Sequence, residues 1–223
     1  MTIHRVRPLI LLSLLAVVPS ALPAQDPSVS PLDTAAPAEV AEPIRALLAA
    51  SGHAVKRGDS TLEFWWVRSL PLESAPSGAP SWEQVPDGAL VGVLRTASPL
   101  QDIRGMPIKP GSYTLRFARQ PQDGDHMGVS PYREFLLVSP AADDQVAKPT
   151  GYKGAVDLAK KTSGKSHPAS LSLDPPTTTD AAGTIVTNEA GHRGVVFSVA
   201  VEHGGKAGGS LSFGLTLVGR YEH

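Results

Sequence analysis

The chain has 223 residues, with 20 Lys and Arg against 21 Asp and Glu, a formal charge of -1 and no cysteine. The absent thiols exclude disulfides, thiolate metal sites and a cysteine nucleophile, and the balanced charge excludes a nucleic-acid binder built on a basic patch. Glycine and proline, 21 of each, are abundant for a helical protein yet below the ~25–30% of low-complexity chains, which leaves a loop-rich, all-β domain.

Residues 1–24 read as a secretory signal. Arg5 and Arg7 supply a basic start, Leu9 to Val18 is apolar apart from Ser13, and Leu22-Pro23-Ala24 ends on a small residue suited to cleavage. The apolar run is shorter than the ~20 residues of a membrane span. The expectation is therefore an exported protein, periplasmic or extracellular, with no transmembrane span in the mature chain. Residues 25–41 set Pro27, Pro31 and Pro37 among small and acidic residues, which predicts a flexible tether. Residues 42–223 are expected to form a single domain.

Glu42 to Gly52 predicts one helix. Pro43 suits its first position, Ile44, Leu47, Leu48 and Ser51 share a face, and Gly52 suits a left-handed stop. A second short helix is expected over Ala155 to Thr162, closed by Gly164. Elsewhere the apolar residues alternate. Leu62, Phe64 and Trp66 oppose Glu63, Trp65 and Val67; Tyr113, Leu115 and Phe117 oppose Thr114, Arg116 and Ala118. The same period runs through Val195–Glu202 and Leu211–Val218, with shorter candidates at Leu90–Leu94, Glu134–Val138, Ala169–Leu173 and Thr184–Thr187. Period two with one greasy face marks half-buried antiparallel strands. Many such strands between Gly/Pro turns predict an antiparallel β-sandwich or jelly roll with one or two peripheral helices. In the last hairpin, a two-residue turn at Gly204-Gly205 would set Phe197 against Ser212, core against surface. An odd loop, Gly204–Lys206 or Gly204–Gly208, restores Phe197 opposite Phe213 or Leu215 and is the expected connection.

The stretch Ile108-Lys109-Pro110-Gly111-Ser112-Tyr113-Thr114-Leu115-Arg116 resembles the P-x-G-x-Y-T-L strand of uncharacterised secreted bacterial β-sandwich proteins, here with Pro110 directly against Gly111. Gly124–Phe135 and Ser166–Ser170 resemble further segments of such proteins. The resemblance spans Leu62 to Gly219 and implies a secreted sandwich, with no activity attached.

Chemistry-bearing motifs are few. Gly164-Lys165-Ser166 has the end of a phosphate-binding loop, but the glycine required five residues earlier is Ala159. The densest cluster is Asp123-Gly124-Asp125-His126, where Asp123 and Asp125 offer oxygens to a divalent ion and His126 a nitrogen. The same four residues also make an ordinary solvated turn, with aspartate bonding backbone N–H groups. Trp65 and Trp66 are adjacent in one strand and must face opposite sides. Trp66 belongs to the core series. Trp65 is either covered by the Ile44–Leu48 helix face or offered as a flat ligand platform. Two readings of function follow. The first is a non-enzymatic envelope binding or accessory module for a polysaccharide or protein, with no cofactor. The alternative is a metal-binding protein or metal-dependent hydrolase using Asp125, His126 and other loop histidines.

Overall fold

The computed structural model describes residues 27–121, 132–174 and 181–219. The predicted signal, residues 1–24, lies outside them. In chain order run β1 (Ser28–Leu32), the one-turn helix α1 (Glu42–Arg45), β2 (Gly52–Arg57), β3 (Ser60–Trp66), β4 (Leu70–Pro71), β5 (Leu90–Thr96), β6 (Leu100–Gln101) and β7 (Pro107–Ile108). Then follow β8 (Gly111–Arg119), β9 (Glu134–Pro140), α2 (Gly151–Ser163), β10 (Ser170–Asp174), β11 (Ile185–Thr187), β12 (Arg193–His203) and β13 (Lys206–Val218). The protein is mostly β, as the alternation predicts. No helix among the described residues is long and apolar enough to cross a membrane.

One sheet carries the order β1-β2-β3-β5-β8-β9-β10-β13-β12-β11, and β6 pairs with β7 apart from it. Between β3 and β12 lie six steps of this order, about 29 Å if the sheet were flat at ~4.8 Å per strand. Yet the rings of Trp66 and Phe197 stand only 4.8 Å apart, and those of Trp66 and Phe213 only 5.4 Å. The sheet must therefore curl until its two halves face each other across this aromatic core. Trp82 joins from the β4–β5 connection, stacked on Phe117 at 4.8 Å. Two ties cross the rim: Arg57 donates to the Leu217 carbonyl at 2.7 Å, and β4 pairs with β12. That last pair is parallel, so the sheet is mixed and not purely antiparallel. A parallel neighbour needs a long crossover, supplied here by the whole run from β5 to β11.

Three expectations are corrected. Residues 28–32 are no tether but a strand, paired antiparallel with β2 from Ser28–Lys56 to Leu32–Gly52. The segment after it is tied down as well: Thr34 accepts the Trp65 indole N–H at 2.7 Å, and Ser112 donates to Glu39 at 2.7 Å. Strand pairing recovers the ordering entropy that composition alone does not offset. The helix stops at Arg45, because Ala49 donates to the Trp66 carbonyl and Leu48 bridges Val67 instead. Ile44 and Leu48 are buried as expected, while Leu47 is exposed. Gly52 opens β2; a Cβ there would lie 2.3 Å from the Phe64 carbonyl oxygen.

The last hairpin turns on Gly204-Gly205 after all, with φ of 57° and 75° and His203 paired to Lys206. Phe197 nevertheless faces Phe213. Glu202 pairs with Ala207 but Ala200 with Ser210, so Gly208 and Gly209 together oppose Val201. This β-bulge inserts the residue that the core register requires, and Gly209 absorbs it at φ 93°.

Helix α2 is bound to the outer face of the sheet by a buried ion pair. Arg116 and Asp144 both have fully buried side chains. Arg116 Nε and Nη2 donate to the two Asp144 oxygens at 2.7 and 2.8 Å. Its remaining donors reach the carbonyls of Gly88 at 2.7 Å, Lys148 at 3.3 Å and Val146. All five guanidinium N–H groups are thus used. Thr114 adds a 2.6 Å bond to Asp144. The segment leading into α2 is thereby fixed to β8 and to the turn at Gly88.

Removing one partner leaves a buried charge uncompensated, so Arg116→Met should cost about 3–5 kcal/mol in urea unfolding, with part recovered in Arg116→Met/Asp144→Leu. At the other edge, Trp65→Ala should cost about 3–5 kcal/mol. Deleting residues 28–34 removes the other side of the same contact, so the combined loss in urea titrations should fall short of the sum.

Candidate functional site

Helix α2 presents Ala155 and Ala159, both fully buried, to the sheet. With Ala118 of β8 and Leu137 of β9 they form a second, small apolar cluster, against which Val156 packs. Alanine at both positions lets the helix backbone approach closely. The opposite face is charged, with Lys153 donating to Asp157 at 2.6 Å. Gly164, at φ 64°, ends the helix as expected.

This docking leaves a small, half-open cleft of about 90 Å³ beside the helix. Ligand sites of ~300–1,000 Å³ are larger, so a bound molecule would sit in it only in part and extend along its open mouth. Ala118, Phe135 and Leu137 belong to its β8–β9 side, Tyr152 and Val156 to α2, and Ile103 and Arg104 to the β6–β7 turn. His167, Pro168 and Ser170 continue the wall where the chain enters β10, and Arg119 and Gln120 complete the lining. The β6–β7 turn is rigid because Asp102, its side chain wholly buried, accepts from the Arg104 and Met106 amides at 2.9 Å. Arg104 then spans to the Pro168 carbonyl at 2.8 Å and the Ser170 hydroxyl at 3.1 Å, and pairs with Asp102 at 3.2 Å. Arg119 is held more loosely, 3.4 Å from Asp87 and 3.4 Å from the Glu83 carbonyl. A second groove shares Arg119, Gln120 and Tyr152 with the cleft and adds Glu83, Asp87, Pro121, Arg133 and Glu134.

Of the residues singled out from sequence, only Trp65 can be placed, and it is not part of the cleft. Asp123, Asp125 and His126 belong to the β8–β9 connection and lie outside the described residues. Trp65 is fully buried, its indole N–H held by Thr34 and the Arg95 guanidinium 5.6 Å from its ring centroid. It is no exposed platform: the N-terminal segment read as a tether is what caps it. Among the described residues no three His, Asp or Glu gather as a metal site. His53, His167, His192 and His203 stand on separate parts of the chain; His203 Nδ1 lies 3.0 Å from the Leu72 carbonyl.

The cleft itself escaped sequence reasoning. Its signal was Arg116, which alternation assigns to the face opposite Tyr113, Leu115 and Phe117. A fully buried arginine on that face means that something covers it. No family model, curated protein or solved structure matches the chain.

One histidine is placed to report on acidification. The ring of His53 meets Phe197 edge-on at 5.5 Å, and its strand neighbours are Pro31 and Phe64, none of them titratable. Its Nδ1 is buried without a hydrogen-bond partner, and burial pushes its pKa below the usual 6.5. Between that value and the lower folded one, the unfolded chain binds more protons, so stability falls as pH drops through this window and is unaffected above it. His53→Phe should flatten the melting temperature between about pH 7 and pH 5, where histidines alone of the side chains normally titrate. An unchanged slope would show that other groups set it.

Proposed function

We propose that this chain is an exported, non-enzymatic binding or accessory module of the cell envelope, and that the α2 cleft is its ligand seat. The observation that carries the reading is the cleft: an apolar lining with a few polar groups held on a rigid frame. The basic start, short apolar run and small-residue end of residues 1–24 support export. The Pro110–Leu115 segment, with its likeness to secreted β-sandwich proteins, supports reading the curled sheet as a jelly-roll-like sandwich. In such a protein the sheet is scaffold, and function lies where a covering element leaves a gap.

The test is to fill the gap. Val156→Trp should abolish co-sedimentation with isolated envelope while the melting temperature stays near that of the unaltered chain. Binding that survives the substitution would place the ligand elsewhere. A melting temperature raised by an added divalent ion, and no longer raised in Asp125→Ala/His126→Ala, would favour the metal-dependent alternative instead.

A further inference from the structure

Resting on the cleft as ligand seat, we infer its ligand class: a small amphiphile with an apolar body and a single anionic group. The body would lie against Ala118, Leu137 and Val156, which offer carbon surface and no hydrogen-bond partners beyond the backbone. The charge of the lining is one-sided. Arg104, Arg119 and His167 line the cleft, and among the described residues no carboxylate does.

The two arginines differ in what they have left to give. Arg104 is neutralised by Asp102 and fixed by three oxygens, though its Nε is buried with no partner among the described residues. Arg119 keeps a 30% exposed side chain, and its two contacts at 3.4 Å exceed the ~2.7–3.2 Å of a normal N–H···O bond. Little is lost when it turns to an anion, and a bidentate pair to a carboxylate or phosphate would be stronger than either present contact. The neighbouring groove limits the charge to one. Glu83, Asp87 and Glu134 line it next to Arg119 and outnumber its one further cation, Arg133, an acidic excess that disfavours a second anionic group.

Two dyes with the same fused rings separate the elements of this inference: anilinonaphthalene sulfonate, a mono-anion, and N-phenylnaphthylamine, its uncharged counterpart. Fluorescence titration of the chain should show the sulfonate binding more tightly. Arg119→Gln should weaken the sulfonate about tenfold, the loss of one charge-assisted contact, and leave the neutral dye unchanged. Arg119→Lys should recover part of the loss. Raising salt should weaken only the sulfonate, which keeps the test open if the glutamine variant folds poorly. Val156→Trp should abolish both dyes. If Val156→Trp blocks both dyes but the sulfonate gains nothing over the neutral dye and ignores Arg119, the anion inference fails and the ligand seat stands. If neither dye binds, or Val156→Trp blocks neither, both fail together.

Discussion

The Arg116–Asp144 pair is the constraint from which the outer half of this molecule follows. A guanidinium with no solvent exposure persists only when each of its donors finds an oxygen, and here the oxygens come from three stretches of chain. Those stretches are the turn before β5, the segment after β9 and the approach to α2. Bonding them to one side chain of β8 decides where the helix begins. The Gly88 carbonyl that Arg116 holds also accepts from Thr150, next to the first residue of α2, at 3.2 Å. Helix placement is thus a polar decision made at one end, and apolar packing of Ala155 and Ala159 only completes it.

The inner half follows a different logic. Phe64, Trp66, Trp82, Phe117, Phe197 and Phe213 contact one another ring to ring, drawn from strands far apart in the sheet order. Curling is the way for a sheet with one aromatic face to bury that face against itself. The bulge opposite Val201 serves the same end, letting the tightest turn coexist with the register that the aromatic rings demand.

How far this was legible in the sequence depends on what each residue's partner is. Alternation locates β3, β5, β8, β9 and β10–β13 because a half-buried strand writes its inner face into every second residue. The core assignment of Trp66 follows from the same rule. β1 is invisible to it, since Ser28–Leu32 has two prolines beside it or within it and becomes ordered only by pairing with β2. The stop of α1 at Arg45 was hidden likewise, because the competing partner, Val67, is distant in sequence. The site was the least legible. A cleft is defined by what fails to fill a gap, and that gap exists only once α2 sits on β8 and β9.

The parallel contact between β4 and β12 has a kinetic meaning. Leu70 meets Val201, so the rim closes between residues 131 positions apart in the chain. Phe64 and Trp66 of β3 pack on Phe197 and Phe213, so their burial waits on β12 and β13. Contacts of such long separation carry their loop-closure entropy before they return any burial, which places folding among the slow, non-local topologies. A chain whose final hairpin has not yet paired therefore keeps this aromatic face without half of its partners.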